Sequence, residues 1–143
     1  MGLFLFMDNH THTFPKAEHL TSKLQIDSLF EKGEGFIAFP LRVVYQLVPK
    51  EDNSSLIKVV VSVPKKRFKH AVDRNRFKRL IRESYRLNKH QLCAATEQTP
   101  WNLHIAFCAV SNELPNFDTV QIKMQMALVK LEHRILQKRD KNS

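Results

Sequence analysis

The chain has 143 residues, of which 43% are hydrophobic and 26% charged, and its formal net charge is +9. This length fits one domain and this composition excludes a disordered chain, while no apolar run approaches the roughly 18 residues of a membrane span. The two cysteines, Cys93 and Cys108, stand outside any CxxC or Cys/His cluster. We therefore expect neither a disulfide framework nor a zinc site, and a reducing, cytoplasmic location.

No linker that would divide the chain into two domains is visible in the sequence. We predict one domain over residues 14–139, with a flexible tail at 1–13 and a flexible C-terminus at 140–143. The apolar start is too short for a signal peptide and has no basic leader. His10 and His12 have an H-x-H spacing, but a metal site needs a third ligand held rigidly, so no metal site is predicted.

The N-terminal half is predicted to contain one helix followed by strands. Thr21 or Ser22 can cap a helix that ends near Lys32, and its apolar residues recur at the spacing of one helical face. These apolar residues are Ile26, Leu29 and Phe30. Strands are predicted at 36–39, 41–48 and 57–63, where β-branched or alternating apolar residues occur between turn signals.

The C-terminal half is predicted to contain two long helices around one buried strand. The first helix ends near His90, residues 93–100 form a connection, and residues 103–110 form a central strand. Asn116 or Asp118 can cap a final helix that reaches about Lys138. The order α-β-β-β-α-β-α predicts an α/β (α+β) two-layer sandwich, with helices packed on a small four-stranded mixed sheet.

The positive charge is concentrated in residues 65–89. This segment has eleven basic and two acidic residues, a net of +9, while the rest of the chain balances at twelve of each sign. A dense patch of one sign predicts a polyanionic partner. The basic residues are Lys65, Lys66, Arg67, Lys69, Arg74, Arg76, Lys78, Arg79, Arg82, Arg86 and Lys89.

The helix in this segment is predicted to have a buried face and a cationic face. At 100° per residue, one arc holds Phe77, Leu80, Ile81, Ser84, Tyr85, Leu87 and Asn88. The other arc holds Arg76, Lys78, Arg79, Arg82, Arg86 and Lys89. If Asp73 caps the helix, Arg74 and Arg76 lie in its first turn, where cations oppose the helix dipole unless a phosphate neutralises them. An ordinary solvated helix face is the plainer alternative.

A longer motif surrounds this helix and indicates a family. The strand end Val61-Ser62-Val63 precedes Lys65-Lys66, then Ala71-Val72, then the run Arg74-Asn75-Arg76-Phe77-Lys78-Arg79-Leu80-Ile81-Arg82-Glu83. This arrangement resembles the signature of the protein subunit of bacterial ribonuclease P. The resemblance spans roughly residues 14–135 and includes Phe14-Pro15, Leu20, Phe30, Gly33 and Tyr45.

The resemblance implies a fold and a function. The fold is a sandwich with a left-handed β-α-β crossover, against the usual hand. The protein binds one large catalytic RNA, which with Mg²⁺ cleaves precursor tRNA to give the mature 5′ end. A cleft between the first helix and the sheet receives the single-stranded 5′ leader. The protein itself has no catalytic residues, binds neither DNA nor a membrane, and is a monomer on its own.

The resemblance also assigns residues to each RNA. The implied contacts to the catalytic RNA are Lys65, Lys66, Arg74, Asn75, Arg76, Lys78, Arg79 and Arg82. The implied leader cleft contains Ile26, Phe30 and Tyr45, although Ile26 stands where an aromatic residue is frequent. Core packing is the alternative role for Phe30 and Tyr45. The chain also departs from the family pattern at Phe107 and Cys108, where relatives often have Arg or Lys.

Two other functions are consistent with a basic helix. The first is a ribosomal or general structural RNA-binding protein, which would not promote cleavage of precursor tRNA. The second is a DNA-binding regulator, but a strand and Pro64 precede the basic helix where a helix-turn-helix needs another helix. No paired carboxylates, nucleophile–base set or Gly-rich phosphate loop indicates catalysis by the protein itself.

Overall fold

The computed structural model describes residues 13–142, so the predictions for residues 1–12 and Ser143 lie outside the described part. The described residues form four strands and four α-helices, with a 3-10 turn at Lys16–Glu18. In chain order the elements are α1 (Lys23–Lys32), β1 (Glu34–Ala38), β2 (Leu41–Pro49), β3 (Ile57–Ser62), α2 (Ala71–Asn88), α3 (His90–Glu97), β4 (Trp101–Ala109) and α4 (Phe117–Lys141).

The strands form one mixed sheet in the order β1-β2-β4-β3, which confirms the predicted fold class. The β1–β2 hairpin is antiparallel with Ala38 opposite Leu41, and β2 also pairs antiparallel with β4. The β3–β4 pair is parallel, and α2 and α3 form the crossover between these two strands. The left-handed sense of this crossover stays a prediction.

Both faces of the sheet are covered by helices, but unequally. On one face, α2, α3 and α4 pack on a large core that includes Val43, Tyr45 and Ile105. On the other face, α1 packs on a small cluster that includes Val44 and Ala106. Because successive strand residues point to opposite faces, neighbours such as Val44 and Tyr45 belong to different cores. The sheet therefore separates two surfaces of different chemistry.

Helix ends follow the predicted caps at two of the three long helices. The Ser22 hydroxyl accepts a hydrogen bond from the Gln25 amide at 3.3 Å, and the Asn116 side chain accepts from the Thr119 amide at 2.8 Å. The end of α4 lies at Lys141, three residues beyond the prediction. The prediction that Asp73 caps the basic helix is wrong, because α2 begins at Ala71 and its N-cap is His70.

The prediction of a connection over residues 93–100 is also wrong for most of that segment. Residues His90–Glu97 form α3, which follows α2 after Lys89 alone. The side chains of Leu92, Ala95 and Thr96 are buried at helical spacing. Only Leu92 among them is a large apolar residue, so the periodic signal in the sequence was weak.

Candidate nucleic-acid interface

The basic surface is built on one face of α2 and on the loop before it. Phe77, Ile81, Ser84 and Tyr85 hold the inner side of the helix in the core, which leaves the opposite side open to solvent. We call this opposite side and its loop the α2 basic face. Its exposed predicted contact residues are Lys65, Lys66, Asn75, Arg76, Arg79 and Arg82.

The α2 basic face carries almost unopposed charge. Among the described residues, no carboxylate forms an ion pair with Lys65, Lys66 or the predicted contact arginines. Glu83 instead pairs with Arg86, whose Nε lies 3.2 Å from Glu83 Oε2. The hydrogen bond from Arg86 holds the pKa of Glu83 below its usual range, so this carboxyl stays ionised. Arg86 is thus the one arginine of α2 that this carboxylate neutralises in the described structure.

Two of the basic residues have structural contacts. The Nη1 atom of Arg74 donates to the carbonyls of Phe68 and Lys69 at 2.8 and 2.9 Å, which ties the loop to the first turns of α2. The Nη1 atom of Arg67 donates to the Val110 carbonyl at 3.0 Å. Arg74 and the half-buried Lys78 are therefore less open than the other predicted contact residues. Arg74 thus fixes the backbone at Phe68 and Lys69, directly before α2.

Lys89 does not lie on the cationic face where the helical wheel placed it. It is 5% exposed, and its Nζ lies 2.6 Å from Glu18 Oε1 and also contacts the Thr13 carbonyl. The helical-wheel prediction is wrong for Lys89 because α2 ends at Asn88 and the chain then turns into α3. Lys89 thus anchors the N-terminal segment at the α2–α3 corner.

The anchored N-terminal segment adds an aromatic ring to the α2 basic face. Phe14 packs on Tyr85 with ring centroids 5.3 Å apart, and it lines a surface groove with Asn75, Arg79, Arg82 and Arg86. An aromatic ring beside several arginines suits nucleotides, which offer both a phosphate and a base to stack. Phe14 belongs to the family motif in the sequence, but no sequence pattern assigns it to this groove.

The interface between α1 and the sheet is apolar. Ile26 is half-buried and packs on a cluster formed by Leu20, Leu29, Val44 and Ala106. Phe30 lies one helical turn after Ile26 and is 44% exposed. The structure therefore brings Ile26 and Phe30 onto one side of α1, and Phe30 is open to solvent.

Tyr45 does not lie beside Ile26 and Phe30, and its implied role in the leader cleft stays a prediction. It is 5% exposed on the opposite face of the sheet, where its hydroxyl donates to Glu34 Oε2 at 3.3 Å and lies 3.4 Å from Arg134 Nη1. Burial is the main cause of its raised pKa. Strand alternation explains this placement, since Val44 is the β2 residue that faces α1.

One end of the cleft is polar. Gln46 Nε2 donates to Ser28 Oγ at 3.2 Å, and His104 pairs with Gln46 across β2 and β4. His104 Nδ1 and Asn102 Oδ1 are buried without a hydrogen-bond partner among the described residues. Burial is the largest cause that lowers the pKa of His104, so this imidazole favours its neutral form. The pocket between α1 and the sheet is therefore lined mainly by hydrogen-bonding groups, among them Gln25, Ser28, Gln46 and Asn102.

The structure offers no metal-binding cluster and no membrane helix within residues 13–142. No group of three or more His, Cys, Asp or Glu side chains there could hold a metal ion. No helix in that range is both long and apolar enough to cross a membrane. Cys93 and Cys108 are free thiols, and burial raises the pKa of each. The fold and its α2 basic face define a small α+β domain with one strongly basic surface, which suits a polyanionic partner.

Comparison with known proteins places this domain in a family. The Ribonuclease P family model matches residues 14–132. The ribonuclease P protein component of Porphyromonas gingivalis is 45% identical over 121 residues, which cover 85% of this chain and 88% of that protein. That of Chlorobium phaeobacteroides is 38% identical over 85 residues, 58% of each chain. The chain belongs to the ribonuclease P protein family, which confirms the resemblance seen in the sequence.

Solved structures agree on the fold. The ribonuclease P protein of Thermotoga maritima superposes with a TM-score of 0.61 over 79% of this chain and 96% of that one, at 21% identity. The Staphylococcus aureus protein gives a TM-score of 0.54 over 81% of this chain and 93% of that one, at 22% identity. At such identities the match establishes the architecture, and the residue-level roles depend on the geometry above.

Proposed function

We propose that this chain is the non-catalytic protein subunit of ribonuclease P and acts by binding two RNAs at once. The family match over residues 14–132 carries this proposal. The α2 basic face would bind the catalytic RNA, and the α1 cleft would receive the single-stranded 5′ leader of precursor tRNA. The RNA, together with its Mg²⁺ ions, would carry out endonucleolytic cleavage at the tRNA 5′ end.

Charge explains how a protein without catalytic groups can promote this reaction. Two RNAs repel each other through their phosphates, and the α2 basic face offers cations that described carboxylates leave unpaired. Exposed lysines in the loop and exposed arginines along the helix can each meet a phosphate, and arginine forks can do so through two hydrogen bonds. The protein would therefore lower the Mg²⁺ requirement of the RNA.

The cleft explains how the protein could distinguish precursor from mature tRNA. Only the precursor has a leader, and unpaired bases gain stability from stacking and from hydrogen bonds to their edges. Phe30 is an exposed aromatic ring on α1, while Gln46 and His104 line the polar pocket between α1 and the sheet. The same proposal includes a monomeric free protein that works in the cytoplasm.

Reconstitution with the catalytic RNA tests the proposal. The purified protein should increase precursor-tRNA cleavage at low Mg²⁺, where the RNA alone is slow. A variant with Arg76→Gln, Arg79→Gln and Arg82→Gln should lose most of this increase, because all three side chains are exposed and the core is untouched. No gain from the unmodified protein would contradict the proposal and favour a general RNA-binding role. Stronger binding to duplex DNA than to folded RNA would favour a DNA-binding protein.

A further inference from the structure

Helix α4 has its own charge separation, which the α2 basic face does not explain. At about 100° per residue, five basic residues fall within an arc of about 80°. Its three acidic residues fall within a second arc of about 80° on the far side. None of these acids stands three or four residues from a basic residue, so the helix lacks the pairs that usually stabilise a solvated face. The basic arc contains Lys123, Lys130, Arg134, Lys138 and Lys141.

The basic arc lies beside the β1 edge of the sheet. α4 packs on β1, and the Lys130 ammonium and Arg134 guanidinium lie 4.6 and 5.0 Å from the centre of the Phe36 ring. Arg134 is also 5.9 Å from the Tyr45 ring and donates to its hydroxyl at 3.4 Å. Contact with aromatic faces orients these two cations without neutralising them. We call this surface the α4 basic flank.

Carboxylates do not neutralise the α4 basic flank in the described part of the chain. Glu34 lies at this edge, but it accepts a hydrogen bond from Tyr45 and forms no ion pair with the flank. Arg139 is outside the basic arc and pairs with Asp140 at 2.9 Å. The arc extends from residue 123 to residue 141, about 27 Å along the helix axis at 1.5 Å per residue. A surface of this length can contact several successive phosphates.

The position of the flank indicates which RNA it meets. α2 and α4 pack on the same face of the sheet, while α1 and its cleft lie on the other face. Within the shared layer, α2 packs on β3 at one edge of the sheet and α4 packs on β1 at the opposite edge. An RNA on the α2 basic face is therefore on the same side of the sheet as the α4 basic flank. The proposed leader site, beside α1, is on the other side.

We propose that the α4 basic flank is a second RNA-binding surface, which contacts phosphates of the catalytic RNA at a segment separate from the one on α2. This inference rests on the proposed function, which supplies the catalytic RNA as the partner. The two basic surfaces would hold two segments of one folded RNA at opposite edges of the helical layer.

A charge-removal variant with a charge-preserving control tests this inference. Lys130, Lys138 and Lys141 are exposed, so their replacement by Gln should not unfold the chain, which circular dichroism can check. The variant Lys130→Gln/Lys138→Gln/Lys141→Gln should bind the catalytic RNA about ten-fold more weakly or worse near 0.15 M salt, with a slope of log affinity against log salt about 2–3 units shallower. The matched Lys130→Arg/Lys138→Arg/Lys141→Arg variant should keep both values.

The outcomes separate this inference from the proposed function. If the Gln variant of α4 binds normally while the Gln variant of α2 fails, the proposed function stands and the second surface is wrong. If both variants bind normally, both proposals are wrong. If the α4 variant loses affinity only for precursor tRNA in the assembled complex, the flank belongs to the substrate and our assignment to the catalytic RNA is overturned.

A cleavage footprint tests whether the two surfaces meet separate segments. With Cys93 and Cys108 replaced by Ser, an iron chelate can be attached at Gln137→Cys beside the flank or at Val72→Cys near the start of α2. The two tethers should cleave the catalytic RNA at different positions. Overlapping positions, or no cleavage from residue 137, would overturn the inference.

Discussion

The α2 basic face and the α1 cleft differ in how they are built. All but two of the predicted contacts to the catalytic RNA lie on one helix, and the other two lie in the loop before it. The cleft combines side chains from α1, β2 and β4, so its lining depends on which way each strand residue points. A surface on one helix can be predicted from the sequence, because its residues share one charge and recur at helical spacing. A surface shared by several elements depends on strand register, and one residue of error changes its lining.

The largest expected effect is on stability and comes from the small α1 cluster, which supports the cleft but not the α2 basic face. Leu29 is fully buried in the small α1 cluster, so Leu29→Ala should lower the free energy of unfolding by about 2–5 kcal/mol. Leu24 on the same helix is 83% exposed, and Leu24→Ala should stay within about 0.5 kcal/mol. Urea denaturation gives both values. Where the Leu29→Ala chain is still folded, its salt slope for the catalytic RNA should be unchanged, and a changed slope would mean that the two surfaces are coupled.

The next effect concerns the lining of the cleft. Phe30 is 44% exposed on α1, and a base stacked on its ring would be worth about 1–3 kcal/mol, so Phe30→Ala should lower the preference for precursor over mature tRNA by about five-fold or more. Tyr45→Phe is the matched change on the other face, and it should leave this preference intact. It should instead cost about 0.5–1.5 kcal/mol of stability, because the Tyr45 hydroxyl bonds to Glu34 and Arg134. Binding titrations with precursor and mature tRNA measure this preference. A loss of the preference in Tyr45→Phe would indicate that Tyr45 belongs to the leader site.

A smaller effect is expected from one arginine of the α2 basic face. Arg76→Ala should make the salt slope for the catalytic RNA shallower by about 0.7–0.9 units and weaken binding about five-fold near 0.15 M salt, if the side chain meets one phosphate. Arg139→Ala removes an arginine that already pairs with Asp140, and it should leave the slope nearly unchanged. Equal slopes for Arg76→Ala and the unmodified protein would remove Arg76 from the contact set.

The smallest effect is a pH dependence at the polar end of the cleft. Burial, helped by the Lys58 charge and opposed by Glu51, lowers the pKa of His104. A lowered pKa in the folded state means that the unfolded chain binds the proton more readily, so stability falls as the pH drops below about 6.5. His104→Gln should flatten the decrease in unfolding free energy between about pH 7.5 and 5, with the exposed His133→Gln as control. An identical decrease in the His104→Gln variant would assign the pH dependence to other groups.

Much of the fold could be predicted from local sequence patterns. The residues of α1 and its cap follow from the period of Ile26 and Leu29 and from Ser22, and the two-sided burial of β4 follows from its apolar run. The end of α2 could not be predicted in this way. Lys89 lies where the cationic stripe would continue, but Glu18, which is distant in sequence, pairs with it and buries it.

The site was predictable where it depends on one element and unpredictable where it depends on several. Charge and spacing alone identify Arg76, Arg79 and Arg82 as exposed residues of one helix. Arg74 donates hydrogen bonds to backbone carbonyls of the loop, and such bonds cannot be predicted from the pattern of side chains. Tyr45 was assigned to the cleft by family resemblance, and only the alternation of β2 shows that it faces α4.

The pairing of β2 limits how the α1 cleft can change. β2 is hydrogen-bonded to β1 along one side and to β4 along the other, with all nine of its residues in register with β4. A one-residue insertion or deletion within β2 would exchange the places of Val44 and Tyr45, putting a phenol ring where the aliphatic wall stands and a short side chain beneath Arg134. Retuning of this protein toward other leaders should therefore proceed by point substitution, with the length of the strand held constant.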